Sequence, residues 1–121
     1  MKLITKEQRI QMLRNGRITL SESAEPDDDK FTDHWPVVKL FMPDGGGTWL
    51  LSEICPDDHD ITFGLCDLGL GFPELGYVSL SEIASVRGPL GLPVEQDMHF
   101  KATKSLLEYS RDAHEAGRII A

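Results

Sequence analysis

The chain has 121 residues, 12 Lys plus Arg against 20 Asp plus Glu, and a net charge of −8. A chain of this length fits one domain, and its apolar content of 40% is enough for a single core without disulfides or metal. No apolar run approaches the ~20 residues that cross a bilayer, the first residues turn polar too early for a secretory signal, and a pI near 4.8 disfavours a phosphate-tracking groove. The composition predicts a cytoplasmic domain with reduced cysteines and no direct nucleic-acid or membrane contact.

In chain order, Thr5 and Gln8 have capping-box spacing and Asn15-Gly16 is a left-handed stop signal, predicting a helix over residues 6–15 with Ile10 and Leu13 facing the core. Residues 21–30 are rich in acid with one proline, which predicts an exposed acidic loop. From Pro36 the period becomes two. Val38, Leu40 and Met42 share one strand face until Pro43, and Asp44-Gly45-Gly46-Gly47 turns the chain. Thr48 to Ile54 and Ile61 to Asp67 are further strands, separated by the turn Cys55-Pro56-Asp57-Asp58-His59-Asp60. Strands joined this closely pair antiparallel.

A loop follows at residues 68–76, then a short strand about Tyr77–Val78. Ser79 and Glu82 cap a brief helix reaching Val86. Residues 87–93 carry two prolines and two glycines and form a fixed turn. Val94, Gln96, Met98 and Phe100 then alternate with polar residues as a last strand. A final helix opens at Thr103 or Lys104, buries Leu106, Leu107, Tyr109 and Ala113, and stops at Gly117. The predicted class is α+β: residues 1–121 form one domain, with a mostly antiparallel sheet of four or five strands, a helix at each end of the chain and a short helix near 80–86.

Residues 40–86 contain no Lys or Arg and eight carboxylates: Asp44, Glu53, Asp57, Asp58, Asp60, Asp67, Glu74 and Glu82. This segment accounts for the whole net charge. Within it, Cys55 and Cys66 lack a Cys-x-x-Cys partner, and no His-x3-His follows, so the spacing does not frame zinc. Asp57, Asp58 and Asp60 do not match a calcium loop, which needs a central glycine and a terminal Glu. Gly69-Leu70-Gly71-Phe72-Pro73-Glu74 has no Lys after it and a proline where a helix would start, so it is no phosphate cradle. No cofactor is implied. Leu70, Phe72, Leu75 and Tyr77 either fold back as a plug over the core, the more common arrangement, or are displayed to a partner. Trp49 belongs to the core by its strand position, while Trp35 lies at a more exposed place.

The segments Pro36–Phe41, Thr48–Leu51, Phe63–Gly71, Pro73–Leu80 and Arg87–Glu95 resemble an uncharacterised bacterial family of unknown function met on plasmids, integrative elements and prophages. The likeness spans nearly the whole chain, although Cys55 stands where the family usually has Asp before Pro. It implies a mobile-element setting and no activity. Charge and resemblance together predict a non-enzymatic acidic protein that docks on a basic protein, with DNA mimicry against a host factor as one form of that behaviour. Asp57, Asp58, Asp60, Asp67, Phe72, Glu74 and Tyr77 are the candidate contact residues. The competing expectation is a small enzyme or ligand binder with Cys66, Asp67, Glu74 and His99 gathered near the 68–76 loop.

Overall fold

The computed structural model describes residues 3–23 and 31–121. Helix α1 spans Lys6–Ser23, strands β1 to β4 span Val38–Phe41, Thr48–Ile54, Ile61–Asp67 and Glu74–Ser79, α2 spans Leu80–Ser85, β5 is Glu95–Gln96, and α3 spans Leu106–Ala116. Every strand pair is antiparallel, in the order β4-β3-β2-β1-β5. The fold is the α+β sheet with terminal helices that the periodicity predicts.

Both faces of the sheet are covered. Met12 of α1 and Leu80 and Ile83 of α2 pack on Val38, Leu40, Trp49, Leu51 and Ile54 from one side. From the other side Leu106, Tyr109 and Ala113 of α3 pack on Leu50 and Leu65. The register of β2 slips between Leu51 and Glu53, so Ser52 is an extra residue. That bulge lets Leu51 and Ile54, three residues apart, face the same core.

The first helix runs past its predicted end. Asn15 and Gly16 form its contact with the sheet, not its stop: Asn15 Nδ2 donates to the carbonyl of bulge residue Ser52 at 2.8 Å, and a Cβ on Gly16 would lie 1.9 Å from the Ile54 carbonyl oxygen. The glycine is therefore a close-approach position within a helix whose Thr5–Gln8 capping box forms as predicted. Of the two predicted core residues Leu13 packs partly against the core while Ile10 faces solvent, and Met12 is the fully buried side chain of this helix. Of the acidic loop predicted at 21–30, Ser21–Ser23 belong to α1 and residues 24–30 lie outside the described residues.

Two other boundaries move. The fourth strand starts at Glu74, shortening the preceding loop to residues 68–73. The last strand keeps two residues, because Asp97 turns the chain: its N–H still reaches the Lys39 carbonyl, while its carboxylate accepts from the His99 N–H at 2.9 Å. Met98 is consequently exposed rather than in the core. The final helix is capped by Ser105, whose hydroxyl and the Glu108 carboxylate close a capping box, and it ends at a left-handed Gly117. This start places Leu107 on the outside of the first turn.

Candidate interaction surface

The sheet has two ends of different chemistry. One, the turn end, carries the β2–β3 turn at residues 55–60 and the start of α2. The other, the loop end, carries residues 43–47, the 68–73 loop and the 88–92 turn, which touch: a Cβ on Gly46 would lie 3.1 Å from Gly69, and Asp44 accepts from the Leu90 N–H at 2.7 Å. The seven residues of β3 span roughly 20 Å between the ends at ~3.4 Å per residue.

At the turn end, Asp60 is the organising carboxylate. It accepts from the hydroxyls of Ser79 and Ser81 and from the Ser81 N–H, and its own carbonyl accepts from the Leu80 N–H. It thereby joins the β2–β3 turn to the α2 N-terminus, and the Ser79 and Ser81 hydrogen bonds lower its pKa. Asp58 accepts from the Asp60 N–H as a local turn, whereas the side chain of Asp57 makes no hydrogen bond among the described residues. Glu53 and Glu82 bring the carboxylates of this end to five.

At the loop end the decisive residue is Asp67, only 4% exposed. One carboxylate oxygen accepts from the Gly69 N–H at 2.8 Å and the other from the Ile119 N–H at 2.9 Å, so it ties the loop to the segment after α3. Buried in this way it is a brace for the loop, with no oxygen turned toward a partner. Gly69 and Gly71 both have left-handed backbones, φ 80° and 88°, and alternate with apolar residues. Two such turns in three residues direct Leu68, Leu70 and Phe72 outward while Pro73 is buried behind them.

The loop therefore displays its apolar residues, which overturns the plug as the arrangement for most of it. Leu70 is 74% exposed, Phe72 79% and Tyr77 73%, and only Leu75 packs partly against the α3 core. Leu90, 79% exposed on the neighbouring turn, extends the same apolar end. Trp35 is exposed and Trp49 buried, as their positions predict.

The four residues of the enzyme expectation are not gathered. Cys66 and Asp67 are consecutive on a strand and face opposite sides of the sheet, with Cys66 against the α1 core and paired across strands with Glu74. Burial, and then the Glu74 charge, push the Cys66 thiol up to about 11, so it is not a thiolate at neutral pH. His99 follows β5, with β1 and β2 between it and β3, and the cavity it lines contains none of the other three. No group of three or more metal-ligating side chains occurs among the described residues, and none of their helices is long and apolar enough to cross a membrane.

The seven predicted contact residues thus divide between the ends: Asp57, Asp58 and Asp60 at one, Asp67, Phe72 and Glu74 at the other, with Tyr77 on the outer strand between them. Leu68 and Leu90 were not singled out by the residue pattern, although the alternation of glycine with apolar residues over 68–72 is the signal that points to the first. A groove of about 270 Å3 also opens beside Tyr77, where Phe31, His34, Phe63 and Leu106 converge. Apart from Phe31 and His34, those residues lie far apart in sequence.

Only two ion pairs occur among the described residues, Lys39–Asp97 and Lys104–Asp112. Neither involves any of the eight carboxylates in residues 40–86. A family model described as a protein of unknown function (DUF2958) matches residues 3–120. No curated protein and no solved structure matches.

Proposed function

This chain belongs to the DUF2958 family, and we propose from that premise that it is a non-enzymatic interaction protein that docks on a basic protein partner. The observation that carries the reading is the absence of any intramolecular cation, among the described residues, on the eight carboxylates of residues 40–86. Unneutralised charge of one sign steers association and selects partners of the opposite sign. The exposed apolar side chains at the loop end supply contact area that electrostatics alone lacks, and apolar anchors inside a polar rim are the usual anatomy of a recognition surface. Asp57, Glu74 and Tyr77 are the contact residues of choice within the predicted set, with Phe72 as apolar anchor. Asp60 and Asp67 contribute charge while serving the fold.

We take residues 1–121 as one domain and, on the resemblance described above, place it on a bacterial mobile genetic element, working beside host proteins in the cytoplasm. Competition with nucleic acid for a basic host factor is the form of docking that such a setting suggests. The test is capture of partners from the native host at low and at high salt, with wild type and with the triple variant Asp57→Asn, Glu74→Gln and Glu82→Gln. These three side chains make no hydrogen bond among the described residues, so their neutralisation leaves the fold intact. Capture lost in both high salt and the variant is the expected result. Capture indifferent to both removes electrostatic docking.

A further inference from the structure

We propose that the outer edge of β4 is the docking track, and that its occupant is an extended basic peptide segment of the partner, added to the sheet as a sixth strand. This rests on the interaction reading above and names the geometry of contact.

The backbone phase of β4 follows from one bond. Leu80 N–H donates to the Asp60 carbonyl at 2.8 Å, and in an antiparallel ladder the bonded residues alternate. Val78, Gly76 and Glu74, paired with Thr62, Gly64 and Cys66, thus turn their backbone groups toward β3. The Thr62 hydroxyl, donating to the Val78 carbonyl at 2.9 Å, fits that phase. Leu75 and Tyr77 accordingly point N–H and C=O away from the sheet. Among the described residues, no other strand lies beyond β4 and no partner for these groups occurs.

Edge strands are normally guarded by Lys, Pro, a bulge or a covering segment. Residues 74–79 contain neither Lys nor Pro, and their pairing with β3 is regular through all six positions. β4 is also the strand that joins the two chemically distinct ends, running from Glu74 at the loop end to Ser79 beside the acidic turn. A strand laid along it would meet Glu74 near one terminus and Asp57 and Glu82 near the other. The groove beside Tyr77, whose ring stands edge-on to Phe63 at 5.1 Å, offers an apolar socket midway. Backbone bonds supply affinity and alternate side chains supply specificity in this mode of recognition.

Charge decides the occupant. A second copy pairing edge to edge would bring together two chains of net charge −8 whose facing strands carry Glu74 and no cation. A segment alternating Lys or Arg with apolar residues has the complementary pattern.

The probe is a pool of peptides alternating Lys or Arg with Val, Ile, Leu or Phe, about eight residues long to match the strand. A second pool is identical except for N-methylation of alternate amides, which keeps charge and side chains but removes the donors. Binding is followed by titration and by amide hydrogen exchange. The expected result is salt-sensitive binding that protects the Leu75 and Tyr77 amides and weakens at least about tenfold on N-methylation, as loss of two or more hydrogen bonds implies. Salt-sensitive binding that ignores N-methylation, or protects other amides, overturns the strand edge while the electrostatic reading stands. Absence of salt-sensitive binding overturns both. Protection of Leu75 and Tyr77 in the free protein, with sedimentation as a dimer, assigns the edge to a second copy and overturns the proposal.

Discussion

The two ends of the sheet use carboxylates in opposite ways. At the turn end, the partly exposed Asp60 takes donors from Ser79 and Ser81 and joins the turn to α2, while its neighbours Asp57, Asp58 and Glu82 remain at the surface. At the loop end, Asp67 is buried and braces a loop whose apolar residues are displayed. The charges of Asp57, Asp58 and Glu82 are thus a surface property, whereas the charge at Asp67 is part of what makes the apolar surface possible. Carboxylates at eight positions along one chain divide into display and scaffold according to which donors surround them.

The largest way to break this contrast is Asp67→Ala. It leaves the Gly69 and Ile119 N–H groups without their acceptor, and charge-assisted hydrogen bonds in a buried place contribute about 1.5–3 kcal/mol each. We expect unfolding free energy to fall by about 3 kcal/mol in denaturant titrations, with Asp67→Asn milder because its amide oxygen still accepts one bond. A variant as stable as wild type would mean the loop needs no brace.

Next in size is a rate. With its pKa raised from 9.0 to about 11, Cys66 has about a hundredfold less thiolate near neutral pH than an unperturbed thiol. In the Cys55→Ser background, alkylation in the native state should be slower than in denaturant by at least that factor. Fast native alkylation would show that the loop end opens and would return the thiol to consideration as a nucleophile.

The fold was legible where a single element carries its own signal. The alternation of Val38 and Leu40, the length of Thr48–Ile54 and Ile61–Asp67, and the Ser79 cap all lie in local sequence, and the antiparallel meander follows from short connections. Asn15-Gly16 misled because a stop signal and a close-packing position share one spelling. Only the arrival of the Ser52 and Ile54 carbonyls against the helix distinguishes them. The last strand failed for a similar reason, since Asp97 looks like an outward strand residue until its side chain captures the His99 N–H.

The candidate surface was less legible. Segregated charge is visible in residues 40–86, but its division between two ends depends on strand length, and the display of Phe72 depends on two left-handed glycines in succession. The groove at Phe31, Phe63 and Leu106 has no sequence signature, because its walls come from three separate segments of the chain.

A smaller effect is expected from acid at the turn end. Asp60 has a folded pKa below its unfolded value of 3.8, so its stabilising contribution is fully present above that value and is lost as pH falls through the folded pKa. Comparing wild type with Asp60→Asn across this acidic window should show the two stability curves converging as pH decreases. Curves that stay parallel would deny the carboxylate its capping role.

The smallest effect on stability, and the one that most sharpens the contrast, belongs to Leu70→Ser combined with Phe72→Ser. Both side chains are already largely in water, so removing them takes almost no apolar area out of the core, and the midpoint of unfolding should move by less than about 0.5 kcal/mol in free-energy terms. Serine keeps the backbone of the loop and leaves the left-handed positions at Gly69 and Gly71 untouched. If the loop end is a contact surface, capture of partners at low salt should nonetheless weaken markedly. A destabilised variant would show that Leu70 and Phe72 cover the core in solution after all. A stable variant with undiminished capture would confine recognition to the acidic turn and the β4 edge.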